Sequence, residues 1–406
     1  MMTPRLAMSG PDIEESDCAA VLEVLRSGRL ALGPRTVDFE RRLAETVGVE
    51  HAVAVNSGTA ALHLIVLALG LGPGDEVLVP SFTFVSSVNA LLYQGVTPVF
   101  VDVEPDTGNL DANDLRARIT PKTKAILAVD VFGHPVEWDA IVPVAERFGL
   151  RIIDDACEAL GASYRERPVG QFGDAAAFAF YPNKQMTTGE GGILVTRHEE
   201  IARLARSLRN QGRAETGAWL EHPHLGYNYR MDELSAALGL SQLQRLETLL
   251  QKRERVARMY DERLLGSSWI CPPVVRPHVG MSWFVYPVRL AEGLDRDAVM
   301  RALEAQGIPS RAYFSPVHLQ PYVRARFGFR GGELPVTESV ARRTLALPFH
   351  GRLTEGEVEQ VIQALQRAID QVLSATGPHR TPKAGLAAQP AGHPQTSRRV
   401  AQGKRD

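Results

Sequence analysis

The chain has 406 residues, with 45 Lys and Arg against 47 Asp and Glu, a formal net charge of −2. The length suits two compact domains or one large elaborated one, 44% hydrophobic with 23% charged residues can bury a substantial core, and the charge balance gives no general reason to expect nucleic-acid or membrane binding. Cys18, Cys157 and Cys271 are odd in number and lack C-x-x-C spacing, which argues against a disulfide scaffold and for a reducing, cytoplasmic setting.

Met1–Arg5 lead into polar residues rather than a secretory apolar region, and no uncharged apolar run approaches the roughly 20 residues that span a bilayer. From about residue 50, short apolar runs alternate with helix-length segments. Strands are predicted at Ala52–Val55, Glu76–Val79, Val99–Val103, Ala125–Val129, Arg151–Ile153, Ala175–Phe180 and Ile193–Thr196. Apolar residues on consecutive positions mark strands buried on both faces, and intervening helices imply an α/β fold with a mainly parallel sheet. Met231 to about Leu264 reads as one long helix, with Asp232 as its N-cap and Gly266 beyond its end. A strand at Trp283–Leu290, a helix at Asp295–Gln306 and a last amphipathic helix from Thr354 to about Leu373 form a smaller α+β unit. The expected division is therefore an N-terminal segment, 1–30, packing with the small domain; a large domain, 31–250; a small domain, 251–375; and a tail, 376–406. That tail is rich in Gly, Pro, Gln, Ser and Thr and has six basic residues against one acid past residue 376, a composition that favours disorder.

Candidate chemistry lies at three places. Asn56-Ser57-Gly58-Thr59 follows a strand and opens a helix, where free N–H groups suit a phosphate; the same residues read equally as an ordinary N-cap. Asp154-Asp155 ends a buried strand, at the sheet edge where α/β folds bind ligands, and alternation lets one of the two face a ligand; strand-end turns also favour Asp. Between Ala175 and Gly189 the only charged side chain is Lys184, and an apolar setting disfavours the ammonium form of a lysine. A snorkelling strand-end lysine would not explain the glycines that follow. No dinucleotide, P-loop, hydrolase-elbow or zincin motif is present, and His222-Pro223-His224 has no nearby third ligand for a metal. A phosphate seat, an acid for a ring nitrogen and an amine for an aldehyde are the needs of pyridoxal 5′-phosphate.

These motifs, with Pro80-Ser81-Phe82-Thr83-Phe84, Thr187–Gly192 and Gly226-Tyr227-Asn228-Tyr229-Arg230-Met231-Asp232, run in one order from about Leu6 to Leu373. The chain thereby resembles the DegT/StrS-type sugar aminotransferases, fold-type I pyridoxal-phosphate enzymes. The resemblance implies that Lys184 is the Schiff-base lysine, that Asp155 rather than Asp154 faces the pyridine nitrogen, and that Ser57, Gly58 and Thr59 bind the phosphate. It puts Phe84 on the cofactor ring, Glu158 near the phenolic oxygen, and Asn228 at the cofactor phosphate of a neighbouring subunit, which makes a homodimer with shared sites. Two departures stand out: Ala179 replaces a frequent Ser, and Glu158 replaces a frequent His or Gln. A carboxylate at 158 would have to be protonated or directed elsewhere.

The implied reaction moves an amino group from glutamate or glutamine to a keto-sugar carried on a nucleoside diphosphate, in amino-sugar biosynthesis. Thr187–Gly192 resembles members that act on 4-keto sugars. Arg230, Tyr313 and His318 fall in segments that resemble substrate-facing loops. A cyclitol or other carbocyclic ketone as acceptor stays open, as does a non-catalytic regulatory protein that retains the fold. The sugar dehydratases of this fold carry histidine at the lysine position, so Lys184 argues against that chemistry.

Overall fold

The computed structural model describes residues 6–214 and 221–376; the predicted basic tail lies outside the described residues, apart from Thr376. The strands in chain order are β1 (His51–Val55), β2 (Glu76–Pro80), β3 (Thr97–Val101), β4 (Thr123–Val129), β5 (Arg151–Asp155), β6 (Ser163–Tyr164), β7 (Arg167–Pro168), β8 (Ala175–Ala179), β9 (Gly192–Thr196), β10 (Ile270–Cys271), β11 (Val279–Gly280), β12 (Tyr286–Leu290) and β13 (Thr344–Leu347). Seven of them form one sheet in the order β1-β9-β8-β5-β4-β2-β3. Only β9 runs against its neighbours in that sheet, because residues 180–191, which form no helix, join it to β8. The predicted third strand starts two residues late: pairing with β2 sets it at Thr97–Val101.

The consecutive apolar positions have a simple cause. Val53, Val77, Leu127, Ile153 and Leu194 enter one core on one face of the sheet. Their neighbours go to the opposite face, Ala52, Ala176 and Val195 into one cluster and Leu78, Ile126 and Ile152 into another. Both faces are covered, so alternation in direction produces no alternation in polarity.

The helices are α1 (Glu15–Ser27), α2 (Pro34–Val47), α3 (Gly58–Ala68), α4 (Val85–Tyr93), α5 (Ala112–Ala117), α6 (Trp138–Phe148), α7 (Glu199–Arg209), α8 (Glu233–Gln244), α9 (Leu246–Leu264), α10 (Arg296–Ala305), α11 (Pro321–Phe327), α12 (Pro335–Arg343) and α13 (Glu355–Thr376). Asp232 caps α8 as its sequence position predicts, its side chain accepting from Ser235 N–H. The single long helix does not form. The chain leaves helical geometry at Arg245 (φ −115°, ψ 19°), and that side chain reaches Asp12, Glu14 and Asp17 in the N-terminal segment.

That segment also divides differently from the expectation for residues 1–30. Leu6 packs on the C-terminal core and Phe349 N–H donates to the Met8 carbonyl, but α1 lies against α8, where Gln242 Nε2 donates to Asp17 at 2.8 Å. The ion pairs of Arg245 decide the matter, since Asp17 is 1% exposed and needs a cation. The C-terminal core gathers α9, α10 and α13 around the antiparallel sheet β10-β12-β13. Asp295 caps α10 through Asp297 and Ala298 N–H, and Gly307 follows it at φ +78°.

Candidate active site

The parallel strands end on one edge of the sheet, and the turns after β1, β2, β5 and β8 carry the residues that matter. They enclose a cavity of about 420 Å3, a volume that suits a small cofactor with room for substrate. Ser57, Gly58, Thr59, Phe84, Asp155, Glu158, Lys184 and Tyr313 all line it. Among the described residues, no group of three potential metal ligands includes any of these side chains.

At one end α3 begins. Ser57 is its N-cap and accepts from Ala60 N–H at 3.1 Å, so the ordinary capping role is filled. Thr59 Oγ1 donates to Ser86 Oγ at 2.8 Å. Gly58 is required by close approach: a Cβ there would stand 2.7 Å from Ala179 Cβ and 3.0 Å from Cys157 Sγ. The first turn of α3 thus presents N–H groups and two hydroxyl-bearing residues at the cavity, an arrangement that suits an anion.

On the floor the two neighbouring carboxylates part as strand alternation requires. Asp155 faces the cavity, its Oδ2 accepting from Ser87 Oγ at 2.6 Å and that hydroxyl in turn meeting Thr83 Oγ1 at 2.8 Å. Asp154 points to the opposite side, is 0% exposed and accepts from Gly170 N–H. Burial raises the Asp154 carboxyl to about 7, and the charge of Asp155 pushes in the same direction. Asp130, equally buried beside it, is raised well above the carboxylate range by burial and by Asp154.

At the other end Lys184 rises from the turn between β8 and β9, its N–H bonded to the Tyr181 carbonyl. Nζ lies 3.8 Å from the centre of the Phe284 ring and 3.5 Å from Glu158 Oε1. Glu158 Oε2 accepts from Phe132 N–H at 2.9 Å. Burial raises the Glu158 carboxyl, while Lys184 and the Phe132 amide pull it back. Its departure from His or Gln is thus accommodated by a cation and an N–H donor rather than by turning away from the cavity.

Phe84 stands at the rim with 59% of its surface exposed, so a ring face is open to a ligand. Tyr313 lines the wall, and burial raises its hydroxyl. His318 does not join them: its side chain is fully buried, with Nδ1 2.6 Å from Ser81 Oγ and Nε2 3.3 Å from Glu338. Burial lowers its pKa against the opposing pull of Glu338, and its ring bonds to Ser81 and Glu338 rather than lining the cavity. Arg230 donates to Asn210 Oδ1 at 3.0 Å and lines a separate cleft with Arg206 and Arg213. Asn228 pairs through its backbone with Asn210 and does not line the cavity of its own chain.

Sequence reasoning missed Phe284, Ser87 and Phe314. Ser87 stands three residues after Phe84, one helical turn from a residue already singled out, which is the signal that could have found it. No local pattern marks Phe284, which comes from the edge of the C-terminal unit.

The residues fit pyridoxal phosphate: an anion seat that only glycine leaves open, a buried carboxylate on the floor, and an amine on the opposite wall. Comparison with known proteins agrees. Residues 11–366 match the DegT/DnrJ/EryC1/StrS aminotransferase family. The chain is 42% identical over 380 residues to GDP-perosamine synthase of Caulobacter vibrioides, covering 91% of this chain and 99% of that one. Its fold is similar to Helicobacter pylori PseC, an aminotransferase involved in the biosynthesis of pseudoaminic acid, with a TM-score of 0.86 at 30% identity, over 90% of this chain and 100% of that one. It is also similar to the PMP-form of the putative sugar aminotransferase Spr1654 from Streptococcus pneumoniae, with a TM-score of 0.86 at 31% identity, covering 90% and 99%.

Proposed function

Because the chain belongs to the DegT/DnrJ/EryC1/StrS aminotransferase family, whose members use pyridoxal phosphate, we propose that it moves an amino group from glutamate or glutamine to a keto-sugar carried on a nucleoside diphosphate, at the sugar's 4-position. The observation that carries this reading is the cavity itself: the Lys184 amine, the Asp155 carboxylate and the start of α3 open onto one space. The named activities of GDP-perosamine synthase and PseC support an amino-sugar product.

When bound, pyridoxal phosphate supplies an aldehyde that exchanges its oxygen for an amine and a ring that takes up an electron pair. Ser57, Gly58 and Thr59 hold the phosphate through hydroxyl and backbone N–H groups. Asp155 keeps a proton on the heteroaromatic nitrogen, and Ser87 fixes the orientation of that carboxylate. Phe84 covers one face of the ring. Lys184 Nζ takes a proton from the donor's α-carbon and, in the return direction, delivers one to the sugar carbon that gains the amine. Glu158 stands within reach of that amine and accepts or returns charge as Lys184 changes its own.

We place Asn228 in the cavity of a second copy of the chain. Its absence from its own cavity supports this, as do Phe84, Tyr93 and Leu225, which leave apolar surface uncovered. None of the described helices is long and apolar enough to cross a membrane.

The test is optical. Protein loaded with pyridoxal phosphate is expected to gain a visible band, to lose it with glutamate or glutamine, and to recover it with a nucleotide-linked 4-keto sugar. Borohydride trapping and peptide mapping should put the label on Lys184. Loading without any response to an amino donor would sink the transamination reading, and recovery with cyclitol ketones alone would move the acceptor class.

A further inference from the structure

Arg253 lies in the middle of α9 with 4% of its surface exposed, and burial lowers its guanidinium to about 10. Among the described residues it makes no ion pair; Asp12, whose charge acts on it, is itself held by Arg245 and Lys252. All its hydrogen bonds in the structure go to main-chain carbonyls. Nη2 donates to Asn183 at 3.2 Å and Lys184 at 2.6 Å, and Nη1 donates to Trp283 at 3.3 Å and Phe284 at 3.1 Å. One planar fork therefore clasps two segments: the turn from which the Lys184 amine rises, and the strand entry whose Phe284 ring lies under that amine.

A buried cation with no counter-charge is costly, and an apolar side chain of similar volume would remove that cost while leaving the four carbonyls without this donor. What an apolar side chain cannot do is fix the relative placement of two backbones through directed bonds from one rigid group. Lysine is a long, freely rotating side chain, so the position of its amine depends on where its backbone is anchored and on what its end rests against. Arg253 sets both. Its neighbour Arg255 offers an internal contrast: it too donates to two carbonyls, of Gly351 and Leu353, but neither belongs to the cavity wall.

We propose that Arg253 is a positioning residue for transamination, a strap that holds the Lys184 backbone and the Phe284 ring in register so that the amine stands ready to move a proton. The proposal rests on Lys184 being the working amine. It does not give Arg253 any contact with cofactor or substrate.

Arg253→Met, Arg253→Lys and the control Arg255→Met are compared with the parent enzyme, each loaded with pyridoxal phosphate and supplied with glutamate and glutamine. Both Arg253 variants are expected to take up cofactor and show the visible band, with weakened visible circular dichroism. Their kcat should fall about tenfold while KM for the donor stays within about twofold, the pattern of a misplaced reacting group. Arg253→Lys should recover part of the loss, since one ammonium can reach some of the four carbonyls. Arg255→Met should keep kcat. Parent-like kcat and dichroism in Arg253→Met overturn the proposal. So does failure of both Arg253 variants to fold while Arg255→Met folds, because Arg253 then serves the fold alone. Failure of the underlying reading looks different: the parent protein gains no band, or Lys184→Ala retains it.

Discussion

Ser57, Gly58 and Thr59, at one end of the cavity, are three consecutive residues whose geometry follows from one strand-to-helix turn, whereas Glu158, Lys184, Phe284 and Tyr313 at the other end span 156 positions of the chain. The near end owes its N–H groups to a helix start, a local feature, with one added demand from packing, that position 58 carry no Cβ. The far end exists only because β5, the β8–β9 turn and the C-terminal unit pack together, with Arg253 bonded to two of those segments. Substitutions at the near end should therefore weaken binding by degrees, and substitutions at the far end should stop chemistry outright.

The largest effect should come from Lys184→Ala. Transamination is expected to fall by about a thousandfold or more, with the melting temperature little changed, because among the described residues the amine contacts Glu158 and the Phe284 ring. Steady-state rates beside a thermal melt check both halves, and appreciable residual turnover would erase the contrast between the two ends. Asp155→Asn should follow, with a loss of roughly a hundredfold in rate and the cavity intact, since an amide no longer holds a proton on the ring nitrogen. Gly58→Ala comes next: its Cβ meets Ala179 and Cys157, at a cost of about 1–3 kcal/mol in stability and a measurable drop in cofactor affinity by titration calorimetry.

Asp154→Asn sharpens the comparison through pH rather than rate. The folded carboxyl at about 7 lies above its ordinary 3.8, so the native state holds that proton more tightly than the unfolded chain. The stability from this group is complete below pH 3.8 and is lost as pH rises through about 7. The variant should flatten that decline in melting temperature while leaving turnover near parental, and an unchanged pH profile would show that Asp154 is not the group responsible. Ser57→Ala should do least, about 1 kcal/mol for the lost cap, read as a small shift in the denaturation midpoint.

The sheet was legible because burial on both faces writes apolar runs into the strands, and the register moved only where β3 pairs with β2. Lys184 was legible because a lone charge in an apolar stretch followed by glycines is a local anomaly. The break at Arg245 was not, since its cause is Asp12, Glu14 and Asp17, more than 220 positions away. His318 misled for a related reason: a histidine in a segment that resembles a substrate-facing loop reads the same whether it faces a ligand or, as here, closes on Ser81 and Glu338.

By itself the sequence determined the α/β class, the order of the strands along the chain and the cap of α8, and it singled out Lys184 as the candidate amine, because periodicity, capping and local composition act within a few residues. Tertiary structure alone decided which helix the N-terminal segment meets, that Glu158 shares the Lys184 amine with Phe284, and that Arg253 ties their backbones together. Buried charges and hydrogen-bond donors must find partners wherever packing brings them, and those partners lie too far along the chain for any local pattern to encode.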